Sequence, residues 1–137
     1  MPTLTSQPQD TVRELIERGI NGNDPSAVDD LVHSDYRYRT PTVSLEGPDP
    51  LKALFADYRK AFPDLEVVID HQFAEDNQVC TRLTLRGTHL GPFNGTPGTG
   101  RKVNAKGVVI SRIADGKIKE EWELIDELAV AGQLGLI

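Results

Sequence analysis

The stretch KVNAKGVVISRIADGKIKEEWELID, residues 102–126, decides the fold. Its apolar residues recur at every second position, the spacing of a half-buried strand. Ala114-Asp115-Gly116-Lys117 interrupts that period with the Asp-Gly signature of a tight hairpin. Lys102–Ile113 and Ile118–Asp126 therefore read as two antiparallel strands. Gly91–Arg101, with four glycines and two prolines, reads as a long loop in front of them. Gln78–Leu90 and Leu65–Glu75 are further strands, joined by a turn at Asp76-Asn77. On the N-terminal side of Pro63 the period changes to that of a helix. Leu51, Leu54, Phe55, Tyr58 and Phe62 form one stripe of a segment opened by Pro50.

Asp35–Val43 reads as extended. Two helices precede it. One spans Thr11–Ile20, with Asp10 as N-cap and Asn21-Gly22-Asn23 as stop; a short second one has Asp24 as cap and Pro25 at its first position. The polar first ten residues predict a flexible arm, with one domain over 11–137. Helices first and hairpins afterwards predict an α+β fold. The expected form is a curved antiparallel sheet, an open cone packed against the N-terminal helices, with its mouth as the pocket.

The chain has 137 residues, 38% of them hydrophobic, enough for one core and not for two. No apolar run reaches the roughly 18 residues of a membrane helix, so no membrane partner is expected. Met1–Asp10 has no signal-peptide pattern, which leads to an expectation of a cytoplasmic protein. A formal charge of −6 opposes nucleic-acid binding, and Arg37, Arg39, Lys52, Arg59 and Lys60 are spread over several elements. The single cysteine, Cys80, excludes an internal disulfide. His33, His71 and His89 lack metal-ligand spacing, and the glycine-rich loop matches neither GxGxxG nor the P-loop. Neither a metal nor a cofactor is expected.

Strict alternation along the last strand places Ile118, Glu120, Trp122, Leu124 and Asp126 on one face and Lys119, Glu121, Glu123 and Ile125 on the other. If the first face is concave, Glu120 and Asp126 are partly buried acids, with the raised pKa that suits acid–base work. Alternatively Asp126 caps the tail that follows it, and Glu120 pairs with Arg82 or Arg112. His89 shares one face of its strand with Val79, Thr81, Leu83 and Leu85, and is either a hydrogen-bonded core or rim residue or a proton shuttle. Tyr36, Tyr38 and Arg39 line the expected cone as hydrogen-bond or anion-binding groups. Phe55, Phe93 and Trp122 are candidate pocket walls.

In this order and spacing, Ala61-Phe62-Pro63-Asp64-Leu65, Gly87-Thr88-His89-Leu90-Gly91-Pro92-Phe93, Thr99-Gly100-Arg101, Arg112–Ile118, Glu121-Trp122-Glu123-Leu124-Ile125-Asp126 and Gln133-Leu134-Gly135 form a recognisable series. The chain resembles the SnoaL-like polyketide cyclase (ester cyclase) family, within the nuclear-transport-factor-2-like superfamily. That resemblance implies a homodimer and an enzyme that works without cofactor on a hydrophobic, polyketide-like substrate. The implied reaction is intramolecular aldol condensation, with Asp126 as the acid/base and His89 as the pocket histidine. One departure is the first strand, Asp35-Tyr36-Arg37-Tyr38-Arg39, which has arginine where family members often carry histidine. A fixed positive charge near the pocket would suit an anionic substrate or epoxide opening. Other small-molecule chemistry, such as dehydration, isomerisation or hydroxylation, and non-catalytic binding are the alternatives.

Overall fold

Asp10 lies inside the first helix rather than at its cap. In the computed structural model, which describes residues 7–137, helix α1 spans Pro8–Glu14 and the Gln7 N–H donates to the Asp10 carboxylate at 2.9 Å. The expected arm therefore shortens: residues 8–10 are helical, Gln7 is their N-cap, and residues 1–6 lie outside the described residues. The chain then widens into a π-helical segment, Leu15–Asn21, that buries Leu15, Ile16 and Gly19. Helix α2, Ser26–Leu31, begins where the Asp24 carboxylate accepts from the Ser26 N–H at 3.0 Å and the Ser26 hydroxyl at 2.6 Å.

Strand β1 is Val32–Arg39, and the short β2, Ser44–Glu46, folds back on it. Helix α3, Pro48–Ala61, crosses the sheet with Leu51 and Ala61 buried. Strands β3 (Glu66–Glu75), β4 (Gln78–Thr88), β5 (Lys102–Ala114) and β6 (Lys117–Ile125) form the expected meander, and α4, Glu127–Gln133, closes the chain. Asp115 and Gly116 both take positive φ in the β5–β6 turn, as the Asp-Gly pair requires.

The sheet order is β2-β1-β6-β5-β4-β3. It is mixed, which corrects the antiparallel expectation: β1 runs parallel to β6. The meander leaves the outer edge of β6 unpaired, and β1 satisfies those backbone groups in the parallel sense. The α+β class and the open, helix-packed sheet stand as expected.

A second correction concerns β6. Arg112 pairs with Glu120, but the next residue of β5, Ile113, pairs with Ile118. Lys119 is thus an extra residue, a β-bulge, and it reverses the alternation beyond it. Ile118, Glu121, Glu123 and Ile125 face the helices, while Glu120, Trp122 and Leu124 face outward. Gly107 on β5 makes room for this arrangement, since a Cβ there would lie 2.3 Å from the Ile125 side chain.

The concave side holds the core, with Val12, Val28, Tyr36, Leu51, Val79 and Ile118 essentially inaccessible. A second cluster, Ala61, Phe62, Leu65, Val103, Ala105 and Leu134, packs near α4. The convex side exposes Phe73, Val108, Ile110, Trp122 and Leu124. Among the described residues no helix is long and apolar enough to cross a membrane.

Candidate active site

Between the sheet and α3 lies a cavity of about 720 Å³. Its wall is mostly apolar, with Leu54, Phe62, Leu85, Phe93, Val103 and Ile125 among the lining side chains. Three polar side chains converge on its deep end: Tyr38 from β1, Tyr58 from α3 and Glu123 from β6. A smaller cavity of about 70 Å³ lies beyond them, bordered by the same three residues.

The bulge at Lys119 delivers two carboxylates, two residues apart, to this interior. Glu121 is fully satisfied, with one oxygen accepting from the Tyr36 hydroxyl at 2.7 Å and the other from the Ser111 hydroxyl at 2.6 Å. Burial pushes its pKa up, while the hydroxyl donors pull it down. Glu123 accepts a hydrogen bond from the Tyr38 hydroxyl at one oxygen. Its other oxygen has no hydrogen-bond partner among the described residues, and Glu123 makes no ion pair there. Burial raises the Glu123 carboxyl to about 7, against the opposing Tyr38 hydrogen bond and with a further push from Glu121. Tyr58 has no hydrogen-bond partner for its hydroxyl among the described residues; burial first, then Glu123 and Glu127, raise it to about 12. It stays a protonated donor at neutral pH. A carboxyl poised near neutrality beside a free phenol can take a proton from carbon and stabilise the oxyanion that results.

The residues singled out from the sequence are distributed differently. Tyr38 and Phe93 line the large cavity, and Phe55 lines the small one. Tyr36 is buried behind Glu121. Asp126 is exposed, and its carboxylate accepts from the Ala129 N–H at 3.0 Å, so it is the N-cap of α4 rather than a pocket acid. Glu120, Trp122 and Arg39 face the convex side, where Arg112 donates to the Glu120 carboxylate. The bulge is the cause for Glu120 and Trp122 of β6, and for Asp126 just beyond its end. Arg37 and Arg39 alternate with the inward Tyr36 and Tyr38, so neither brings its charge into the cavity.

His89 is inward and fully buried, as the β4 alternation predicts, but Phe62 and Phe93 stand around it at ring distances of 5.6 and 6.3 Å, and it does not line the cavity. Its Nδ1 lies 3.0 Å from the Thr99 hydroxyl, and its backbone pairs with Arg101 and Gly100. It anchors the loop over residues 91–101 that carries Phe93. Nε2 has no partner among the described residues. Glu123, Glu121 and Tyr58 are not among the candidates the sequence offers: strict alternation puts the two acids on the other face, and Tyr58 reads as part of an apolar stripe.

The family model for SnoaL-like polyketide cyclases matches residues 10–134. The chain belongs to the SnoaL-like polyketide cyclase family. The chain is 28% identical over 130 residues to aklanonic acid methyl ester cyclase DnrD of Streptomyces peucetius, covering 92% of this chain and 89% of that one. It is 29% identical over 133 residues to aklanonic acid methyl ester cyclase DauD of Streptomyces sp. strain C5, covering 92% and 80%. Among solved structures, a SnoaL-like protein from Jannaschia sp. CCS1 superposes with a TM-score of 0.87 at 27% identity, covering 95% of this chain and 92% of that one. Membership makes this SnoaL-like protein an enzyme of cyclase type.

Proposed function

We propose that the protein closes a ring in a polyketide-like ester by intramolecular aldol condensation, with Glu123 as the acid/base. The observation that carries this reading is the free oxygen of Glu123 at the deep end of a large apolar cavity. Glu123 takes the acidic proton from the carbon beside a carbonyl. The enolate attacks a second carbonyl of the same molecule, Tyr58 donates to the developing alkoxide, and the proton held by Glu123 completes the hydroxyl. Atoms balance, so the product is an isomer of the substrate. Tyr38 holds the carboxylate in place, and the apolar wall keeps the chain folded on itself. An open cavity, rather than one filled by core side chains, favours this over a purely structural role. A buried carboxylate without a cationic partner among the described residues favours proton abstraction over epoxide opening.

The substrate class follows the relatives, whose names specify aklanonic acid methyl ester. The convex apolar face supports a homodimer. The direct test is incubation with aklanonic acid methyl ester in deuterated water. Conversion to an isomer of unchanged heavy-atom composition is expected; the carbon that loses its proton gains the new carbon–carbon bond, so solvent deuterium enters it only where the enolate returns to substrate, and the rate should rise as pH passes through about 7. Glu123→Gln should slow this by about 10²-fold or more. Full turnover by that variant would remove Glu123 from the role; no conversion by the native protein would reject this substrate.

A further inference from the structure

The small cavity beyond Glu123 is chemically unlike the large one. The π-helical segment supplies Leu15, Ile16 and Ile20 to one wall, α3 supplies Leu51 and Phe55, and the sheet supplies Leu83 and Val109. Its polar border is Tyr38, Tyr58, Glu121 and Glu123. Both oxygens of Glu121 are already occupied by hydroxyl donors. The Tyr58 hydroxyl and the second Glu123 oxygen are shared with the large cavity, and every other side chain of the inner lining except Tyr38 is apolar. A cavity with so apolar a wall takes small apolar guests. At about 70 Å³ it is too small for an aromatic ring and has room for roughly two carbons. Because Tyr38, Leu54, Tyr58, Leu65, Leu85 and Glu123 border both cavities, a group entering it from the large one passes beside the Glu123 carboxylate.

We propose that this inner cavity is the subsite for a short alkyl substituent, methyl or ethyl, of the molecule that occupies the large cavity. The assignment rests on the reading of the large cavity as the substrate pocket. Seating the alkyl group there fixes which carbon of the substrate lies beside Glu123, so the subsite selects both the substrate and the position of proton removal. Its selectivity is by length: two carbons fit, and four do not.

The test uses 2-naphthol and its 6-methyl, 6-ethyl and 6-butyl derivatives, with binding followed by naphthol fluorescence. Affinity should rise about fourfold per carbon up to ethyl, the ratio that burying one methylene gives, and fall back at butyl. The readout is the ratio of alkylated to parent affinity within one protein, which cancels general changes in the large cavity. Val109→Leu, which fills the inner cavity by one methylene, should erase the ethyl gain. Phe55→Leu, which enlarges it, should move the optimum toward butyl. A bound parent with a flat series, or a gain that continues unchanged to butyl, overturns the subsite alone. Failure of 2-naphthol itself to bind overturns the reading of the large cavity and the subsite with it.

Discussion

When the chain is unfolded the Glu123 carboxyl releases its proton near 4.5, and in the folded protein it holds it to about 7. Below pH 4.5 both states are protonated and the group is neutral in the balance. Between those values the unfolded state binds fewer protons, so stability falls as pH rises; above about 7 the loss is complete. The size of the shift corresponds to about 3 kcal/mol. Its physical origin is the cost of burying a charge whose one hydrogen-bond donor among the described residues is Tyr38. Glutamine keeps the shape and can accept the same hydrogen bond without the charge. Glu123→Gln should therefore melt several degrees above the native protein at pH 8 and close to it at pH 4, while losing turnover. Thermal melts at the two pH values check this. Equal melting at pH 8 would mean that the carboxylate is hydrated and not poised for catalysis.

At the scale of elements, α4 begins at Asp126, where side chain and backbone divide the work. The carboxylate accepts from Ala129, and the Asp126 N–H donates to the Lys106 carbonyl at 3.0 Å. Asparagine can serve as the same cap, whereas alanine cannot. Asp126→Ala should cost about 1 kcal/mol and Asp126→Asn only a few tenths, with turnover within a few-fold of native in both, read by denaturant unfolding and the cyclisation assay. A hundredfold loss with asparagine would restore Asp126 to the chemistry. The distance between its expected place and its observed one shows what the sequence carries. The periods of Leu65–Glu75, Gln78–Leu90 and Lys102–Ile113 announced strands, and the Asp115-Gly116 pair announced their turn, because each signal is local. The pairing direction of β1 was not legible, since a period of two is the same in parallel and antiparallel ladders. The bulge was not legible either: Lys119 sits in an unbroken strand pattern, and only the register against Arg112 and Ile113 reveals the extra residue. One residue of slip exchanged Glu120 and Asp126 for Glu121 and Glu123. Tyr58 was hidden differently, because a tyrosine in an apolar stripe presents its ring to the pattern and its hydroxyl to the cavity.

At the scale of the whole molecule, the same bulge that turns the acids inward turns Trp122 and Leu124 outward. Register places Trp122 directly beside Ile110 and Leu124 beside Val108, and Cys80 connects Ile110 to Phe73 across the sheet. Phe73 and Leu124 are 59% and 62% exposed. A continuous apolar stripe across the middle of a sheet is the kind of surface that another protein covers. Glu66 and Asp70 of β3 already pair with Arg86 and Lys106 at 2.8 and 3.8 Å, so the partner is chosen by the apolar stripe rather than by charge. A two-fold rotation about an axis along the central strands lays the stripe of one copy on that of a second, with β1 of one over β3 of the other. The expected mass by sedimentation equilibrium is therefore twice the 15.1 kDa of the chain. Trp122→Glu, which places a charge at the β6 end of the stripe and touches neither cavity, should return the mass to 15.1 kDa while the far-ultraviolet circular dichroism stays native. A native chain that sediments as a monomer up to high micromolar concentration would leave the stripe without this partner, and a Trp122→Glu dimer would move the interface to another face.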